Sequence, residues 1–247
     1  MRRRPPFIAV WTAALTVATA AVVLVVAKPW QPLPPPIDPV RAAAAETAWS
    51  AAHPAPVQIA TIGDSYTGGS NMGGNGPANW TSVVAQQLTG PAPVEIHKAA
   101  TSGIGYVSQG TVGVTFLDEV PDAVSPDTRL VVVFGSRNDL GKPGDVGAAA
   151  AKVYAAVRAI APKATLLVVG PPWINEDVPA GLAADRDAVK AAAAAAGATF
   201  VDPIADGWFA GAASNLIGAD HVHPTDAGHA YMARFLLPRI QQALAAS

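Results

Sequence analysis

Val57-Gln58-Ile59-Ala60-Thr61-Ile62 leads without interruption into Gly63-Asp64-Ser65-Tyr66-Thr67-Gly68-Gly69. Six mostly apolar residues bounded by turn formers predict a short buried strand. The glycine and the polar pair behind it predict a sharp turn that presents Ser65 at the strand's carboxyl end. Working outward, similar strand-like runs recur at residues 94–97, 130–134, 166–169 and 199–201. Helix-like runs lie at 77–88, 146–160, 182–196 and 225–244, after an alanine-rich helical stretch at 40–52. Pro77 fits a first-turn proline, Asp145 and Thr225 fit N-caps, and Gly197 fits a helix stop. Residues 105–124 are ambiguous between the two states.

Strands that are apolar throughout, alternating with helices, predict a parallel sheet covered on both faces. The class is α/β, a three-layer α/β/α sandwich with a sheet of about five strands. In such sheets the site lies beyond the carboxyl ends of the strands. Ser65 follows the first strand, residues 100–103 the second and Asn138 the third, so topology alone predicts that they converge on one edge. Neither an internal repeat nor a second globular domain is visible.

The chain has 247 residues, enough for one good-sized domain. Only 14% of them are charged, against about a quarter in typical proteins. Alanine accounts for part of this skew, and residues 7–27, a run of 21 without a charge, for another part. At 1.5 Å per residue that run spans a hydrocarbon core of about 30 Å. Arg2, Arg3 and Arg4 precede it, which predicts a cytoplasmic N-terminus and an external bulk. The alternatives are a cleaved signal peptide, whose apolar region is usually shorter, and a buried core helix. Residues 28–39 read as a semi-rigid proline-rich connector. The expected domains are therefore 1–27, membrane anchor or signal sequence; 28–39, linker; and 40–247, the globular domain. From Pro29 onward twelve basic residues face 18 acidic ones, a balance that disfavours nucleic acid or anionic lipid as a partner. Zero cysteines exclude disulfides, a thiol nucleophile and thiolate metal sites.

Serine is a weak nucleophile until a base takes its proton. Five histidines are available, and His223 is the best base, with Asp220 three positions before it on an expected loop. That spacing lets the carboxylate reach Nδ1 while Nε2 faces Ser65. Asn138 supplies a side-chain amide donor at a strand end. Gly103, in Ala100-Thr101-Ser102-Gly103-Ile104-Gly105, supplies an unobstructed backbone N–H, with Gly105 the alternative. Each motif is weak alone. Asn-Asp is an ordinary turn pair, and Gly-Asp-Ser often only shapes one. His221, His223 and His229 with Asp220 also permit a metal-cluster reading, though no second group elsewhere matches it.

Taken together, Gly63-Asp64-Ser65-Tyr66, Gly103, Asn138-Asp139 and Asp220-x-x-His223-Pro224 resemble the SGNH hydrolases, or GDSL-type esterase/lipase family. The resemblance covers about residues 57–245 and implies a flavodoxin-like α/β/α fold. It implies Ser65 as nucleophile and His223 as base, with Asp220 orienting it. Ser65, Gly103 and Asn138 would form the oxyanion hole. Ser136 stands where this family commonly has glycine, and Tyr66 where it often has leucine.

The implied protein is an extracytoplasmic serine esterase, without metal or organic cofactor, bound to the membrane through its N-terminal helix or secreted. Its partner would be an ester substrate: a short acyl ester, an O-acetyl group on cell-envelope glycan, or a lipid ester. The glycine-rich stretch 68–76 predicts an open, mobile rim and leans toward small acyl groups. An acyltransferase using the same residues and a catalytically silent envelope-binding domain are the rival readings.

Overall fold

The computed structural model describes residues 38–246. The expected anchor at 1–27 and most of the connector lie outside them. Among the described residues no helix is long and apolar enough to cross a membrane. The chain divides into two units, Met1–Trp49 and Ser50–Ser247. At their boundary runs helix α1 (Pro39–Ala52), none of whose residues is buried. Alanine's high helix propensity, not an amphipathic stripe, accounts for it.

The second unit is built on β1 (Val57–Gly63), β2 (Val94–Ala100), β3 (Thr128–Phe134), β4 (Thr165–Val169) and β5 (Thr199–Val201). Their order is β2-β1-β3-β4-β5, with every neighbouring pair parallel. Its helices are α2 (Ser65–Gly68), α3 (Trp80–Gln87), α4 (Phe116–Ala123), α5 (Val146–Ile160), α6 (Ala180–Ala195) and α7 (Asp226–Ala245).

Strand β3 shows why the strands read as unbroken apolar runs. Val131 and Val133 point into one core with Phe116, Val120, Val153 and Val157 from α4 and α5, and Val189 from α6. Leu130, Val132 and Phe134 point into the other, with Trp80 and Val84 of α3 and Met232, Leu236 and Ile240 of α7. Both faces are covered, so neither can be polar. The sheet is thus the middle layer of three. β1 has its successor β2 on one side and β3 on the other, and such a reversal opens a crevice at the carboxyl edge.

Two local expectations change. Pro77 does not open α3 but lies in a separate 3₁₀ turn, Gly76–Ala78. Helix α3 starts at Trp80 because Asn79 caps it, accepting the Thr81 N–H at 3.0 Å. The Asn79 amide also donates to Thr67 O and Gly74 O, at 2.9 and 2.7 Å, which pins the chain there. The ambiguous region resolves into a loop followed by α4. Asp118 Oδ2 accepts the Thr115 N–H at 2.7 Å and its hydroxyl at 2.9 Å, which fixes the start of α4, while Pro121 inside the helix hides it from pattern reading.

Candidate active site

The turn carrying Ser65 is tight because Gly63 has no side chain. A Cβ there would sit 2.4 Å from Thr67 Oγ1. Asp64 caps α2, accepting the Tyr66 N–H on Oδ1 at 2.8 Å, and Ser65 is the helix's first residue. A short helix start of this kind leaves N–H groups without helical partners.

The segment from Asp220 to Pro224 reaches the same place from the other end of the unit. Asp220 Oδ1 accepts the N–H groups of Val222 and His223, both at 2.9 Å. Asp220 Oδ2 lies 2.6 Å from His223 Nδ1, and His223 Nε2 lies 3.0 Å from Ser65 Oγ. The three-residue curl requires His221 in the left-handed region, at φ 55°, a conformation an L-residue adopts only at some cost. His221 lines a neighbouring cleft of about 500 Å³ with Ile174, Asn175, Ser214 and Asn215. Tyr66 Oη donates to the Val222 carbonyl, tying the serine helix to the histidine loop. Desolvation pushes the Asp220 carboxyl up, but the hydrogen bonds from His223 and Val222 outweigh it and hold the group at about 2.

The third segment forms a 3₁₀ turn, Arg137–Asp139. Ser136, in the place commonly taken by glycine, orients it: its Oγ accepts the Asn138 N–H at 2.9 Å. The same oxygen lies 2.8 Å from Asp64 Oδ2 and 2.9 Å from Ile104 O, its one hydrogen serving either. Asn138 Nδ2 donates to Asp64 Oδ2 at 3.1 Å and to Ile104 O at 2.9 Å. Asp64 is therefore the hub that joins the loops after β1 and β3. Burial pushes its carboxyl up to about 6, against the hydrogen bonds it accepts. A second buried acid, Glu119 of α4, is pushed to about 7 by burial, although Thr101 and the Gly63 N–H favour its ionised form.

The loop after β2 separates the two glycine candidates. The Gly105 N–H is already bonded to Ser108 O at 2.9 Å. Gly105 is required for space, since a Cβ there would lie 2.4 Å from Asp139 Oδ1. Gly103 sits at φ 81° with room around it, and its N–H has no acceptor among the described residues. Asp139 fixes this loop by accepting the N–H groups of Tyr106, Val107 and Ser108 at 3.0, 2.9 and 2.8 Å.

Sequence reasoning overlooked Asp64, Ser136 and Tyr66 as positioning residues. Ser136 and Tyr66 were visible only as departures from a family pattern. The three histidines of the metal reading do not cluster: among the described residues no group of three His, Cys, Asp or Glu could hold an ion. His229 is buried, its Nδ1 accepting the Trp80 N–H at 3.4 Å, and burial lowers it to about 4.

A model of the GDSL-like lipase/acylhydrolase family matches residues 61–231. The chain belongs to this family. It is 47% identical over 191 residues to a GDSL lipase of Mycobacterium tuberculosis, covering 75% of this chain and 82% of that one. Its fold is similar to that of a lipase/acylhydrolase from Enterococcus faecalis, with TM-score 0.60 and 16% identity over 75% of this chain and 96% of that chain. A family 2 carbohydrate esterase carrying a carbohydrate-binding domain, from Corynascus thermopiles (Myceliophthora fergusii), is also similar. There the TM-score is 0.57 and the identity 25%, over 78% of this chain and 68% of that one. This member of the GDSL-like family is an ester hydrolase.

Proposed function

We propose that this hydrolase works outside the cytoplasm as a serine esterase on short acyl or O-acetyl esters. The observation that carries the mechanism is the chain from Asp220 Oδ2 through the His223 ring to Ser65 Oγ, at 2.6 and 3.0 Å. Ser65 Oγ attacks the ester carbonyl as His223 Nε2 takes its proton, and Asp220 holds the Nδ1–H and stabilises the imidazolium. His223 then gives the proton to the leaving alcohol. Water, deprotonated by the same nitrogen, releases the acid and regenerates Ser65. The Ser65 and Gly103 N–H groups stabilise the oxyanion, and the Asn138 amide, both of whose hydrogens are bonded, joins them by giving up the longer bond, the 3.1 Å contact to Asp64, as charge develops.

The substrate class rests on the likeness to a carbohydrate esterase. The glycines beside the nucleophile serve close packing and not the open rim expected from the sequence, since Gly73 and Gly74 are buried and a Cβ on Gly74 would lie 2.0 Å from His229 Nε2. The location rests on the uncharged run 7–27 behind three arginines. Residues 1–27 serve as anchor or signal, 28–39 as linker and 40–247 as the hydrolase domain. The test is labelling with a fluorophosphonate followed by peptide mapping. The adduct is expected on Ser65, with p-nitrophenyl acetate turnover lowered about 10³-fold or more in Ser65→Ala. An adduct elsewhere, or unchanged turnover, refutes the mechanism.

A further inference from the structure

Arg137 stands one residue before Asn138, half-buried, with its charge uncompensated. Its guanidinium carbon lies 4.4 Å from the centroid of the Trp173 ring, and Nη1 donates to Tyr66 Oη at 3.5 Å. Both supports are themselves held. The Trp173 indole N–H donates to Asn175 Oδ1 and Asp177 O at 3.0 Å each. The Tyr66 hydrogen goes to Val222 O, which leaves an oxygen lone pair for the arginine.

Three carboxylates belong to the same site, yet none pairs with it. Asp64 is taken by Tyr66, Ser136 and Asn138, Asp139 by three backbone N–H groups, and Asp220 by His223. Among the described residues no ion pair includes Arg137, and its remaining N–H groups find no acceptor there. Partial burial of a cation without a counter-charge costs free energy. A planar fork held on two sides suits a carboxylate or phosphate, which it can bind through two parallel bonds.

We propose that Arg137 forms an anion subsite beside the nucleophile, so that the preferred ester carries a carboxylate or phosphate group close to the scissile bond. This inference rests on the esterase reading above, and it narrows the substrate from any short acyl ester to an acidic one.

The test compares matched esters by the ratio of kcat/KM for the anionic member to that for the neutral one. Mono-4-nitrophenyl succinate against 4-nitrophenyl butyrate probes the acyl side, and 4-acetoxybenzoate against phenyl acetate the alcohol side. Arg137→Ala is expected to lower the ratio about 10–100-fold in at least one pair, the usual range for losing a charge-assisted contact. Arg137→Lys should keep more of it than Arg137→Ala, and Arg137→Glu should turn the preference toward the cationic ester acetylthiocholine. Ratios within twofold of wild type in both pairs overturn the proposal. A calorimetric arm needs no turnover: Ser65→Ala should bind the preferred anionic ester at least tenfold more tightly than Ser65→Ala/Arg137→Ala, and equal affinities overturn the subsite. Wild-type protein that hydrolyses none of the four esters refutes the esterase reading instead, while the calorimetric comparison, made with the two anionic esters, still decides the subsite.

Discussion

Replacing Asp64 by asparagine removes one charge from the floor of the site and hardly changes its volume. Burial raises this carboxyl from 3.8 to about 6. A tenfold change in proton affinity corresponds to about 1.4 kcal/mol, so ionised Asp64 lowers folded-state stability by about 3 kcal/mol at pH 7. The sign follows from proton binding. The unfolded chain releases this proton near 3.8 and the folded chain only near 6, so between these values the folded state binds more protons. Stability therefore falls as pH rises through that window and is flat above it. Asparagine does not titrate and removes this component. Its own cost is an Asn138 N–H left without an acceptor, about 1–3 kcal/mol at any pH. Asp64→Asn should thus be less stable than wild type at pH 3.5 and equal to it or more stable at pH 7. The stability difference should change by about 3 kcal/mol between the two, or roughly 6–12 °C in relative Tm for a domain of this size. Thermal unfolding followed by circular dichroism across pH 3.5–7 measures it. Comparison with wild type cancels the contributions that do not depend on Asp64, while Glu119, which burial pushes up and the Asp64 charge pushes up further, titrates lower in the variant. Over the same exchange kcat should fall about 10–100-fold, because the Asn138 amide loses the oxygen that orients it. A stability difference independent of pH refutes the argument about the buried charge. A kcat within twofold of wild type refutes the positioning role.

Asn138→Ala is expected to lower kcat about 10²–10³-fold with little change in KM, since an oxyanion donor matters chiefly as charge develops; a KM effect alone on p-nitrophenyl acetate counts against it. His223→Ala should abolish fluorophosphonate labelling of Ser65, whereas His221→Gly should retain most of it. His221→Val should lose more than the glycine variant, because a β-branched side chain is strained at φ 55°, and equal labelling in both would show that the left-handed turn is not needed. Trp80 is fully buried and its indole N–H donates to Tyr66 O at 3.1 Å, so Trp80→Ala should cost about 3–5 kcal/mol in urea unfolding; a loss below 1 kcal/mol would mean that the core on that face readily repacks.

The amino-acid sequence determined those features whose causes are local or periodic. Apolar runs between turn formers marked the inner strands β1, β3 and β4, because a sheet covered on both faces requires apolar residues on both. Strand β2, expected to be buried, is an edge strand without a buried residue. The spacing from Asp220 to His223 was legible because both side chains belong to one short loop. Other features depend on groups far apart in the chain. Asp64 and Ser136 lie 72 positions apart and meet only because β1 pairs with β3. Nothing in Gly-Asp-Ser reveals that its aspartate will be buried and shared with Asn138. Gly103 and Gly105 looked alike until the loop closed on Ser108 and committed the Gly105 N–H. Arg137 had no evident direction until Trp173, on the loop after β4, came under its guanidinium. Local sequence decides which backbone groups can satisfy one another nearby. Which side chains from separate loops share a desolvated space, and which charge is left there without a partner, is decided by the order of strands in the sheet.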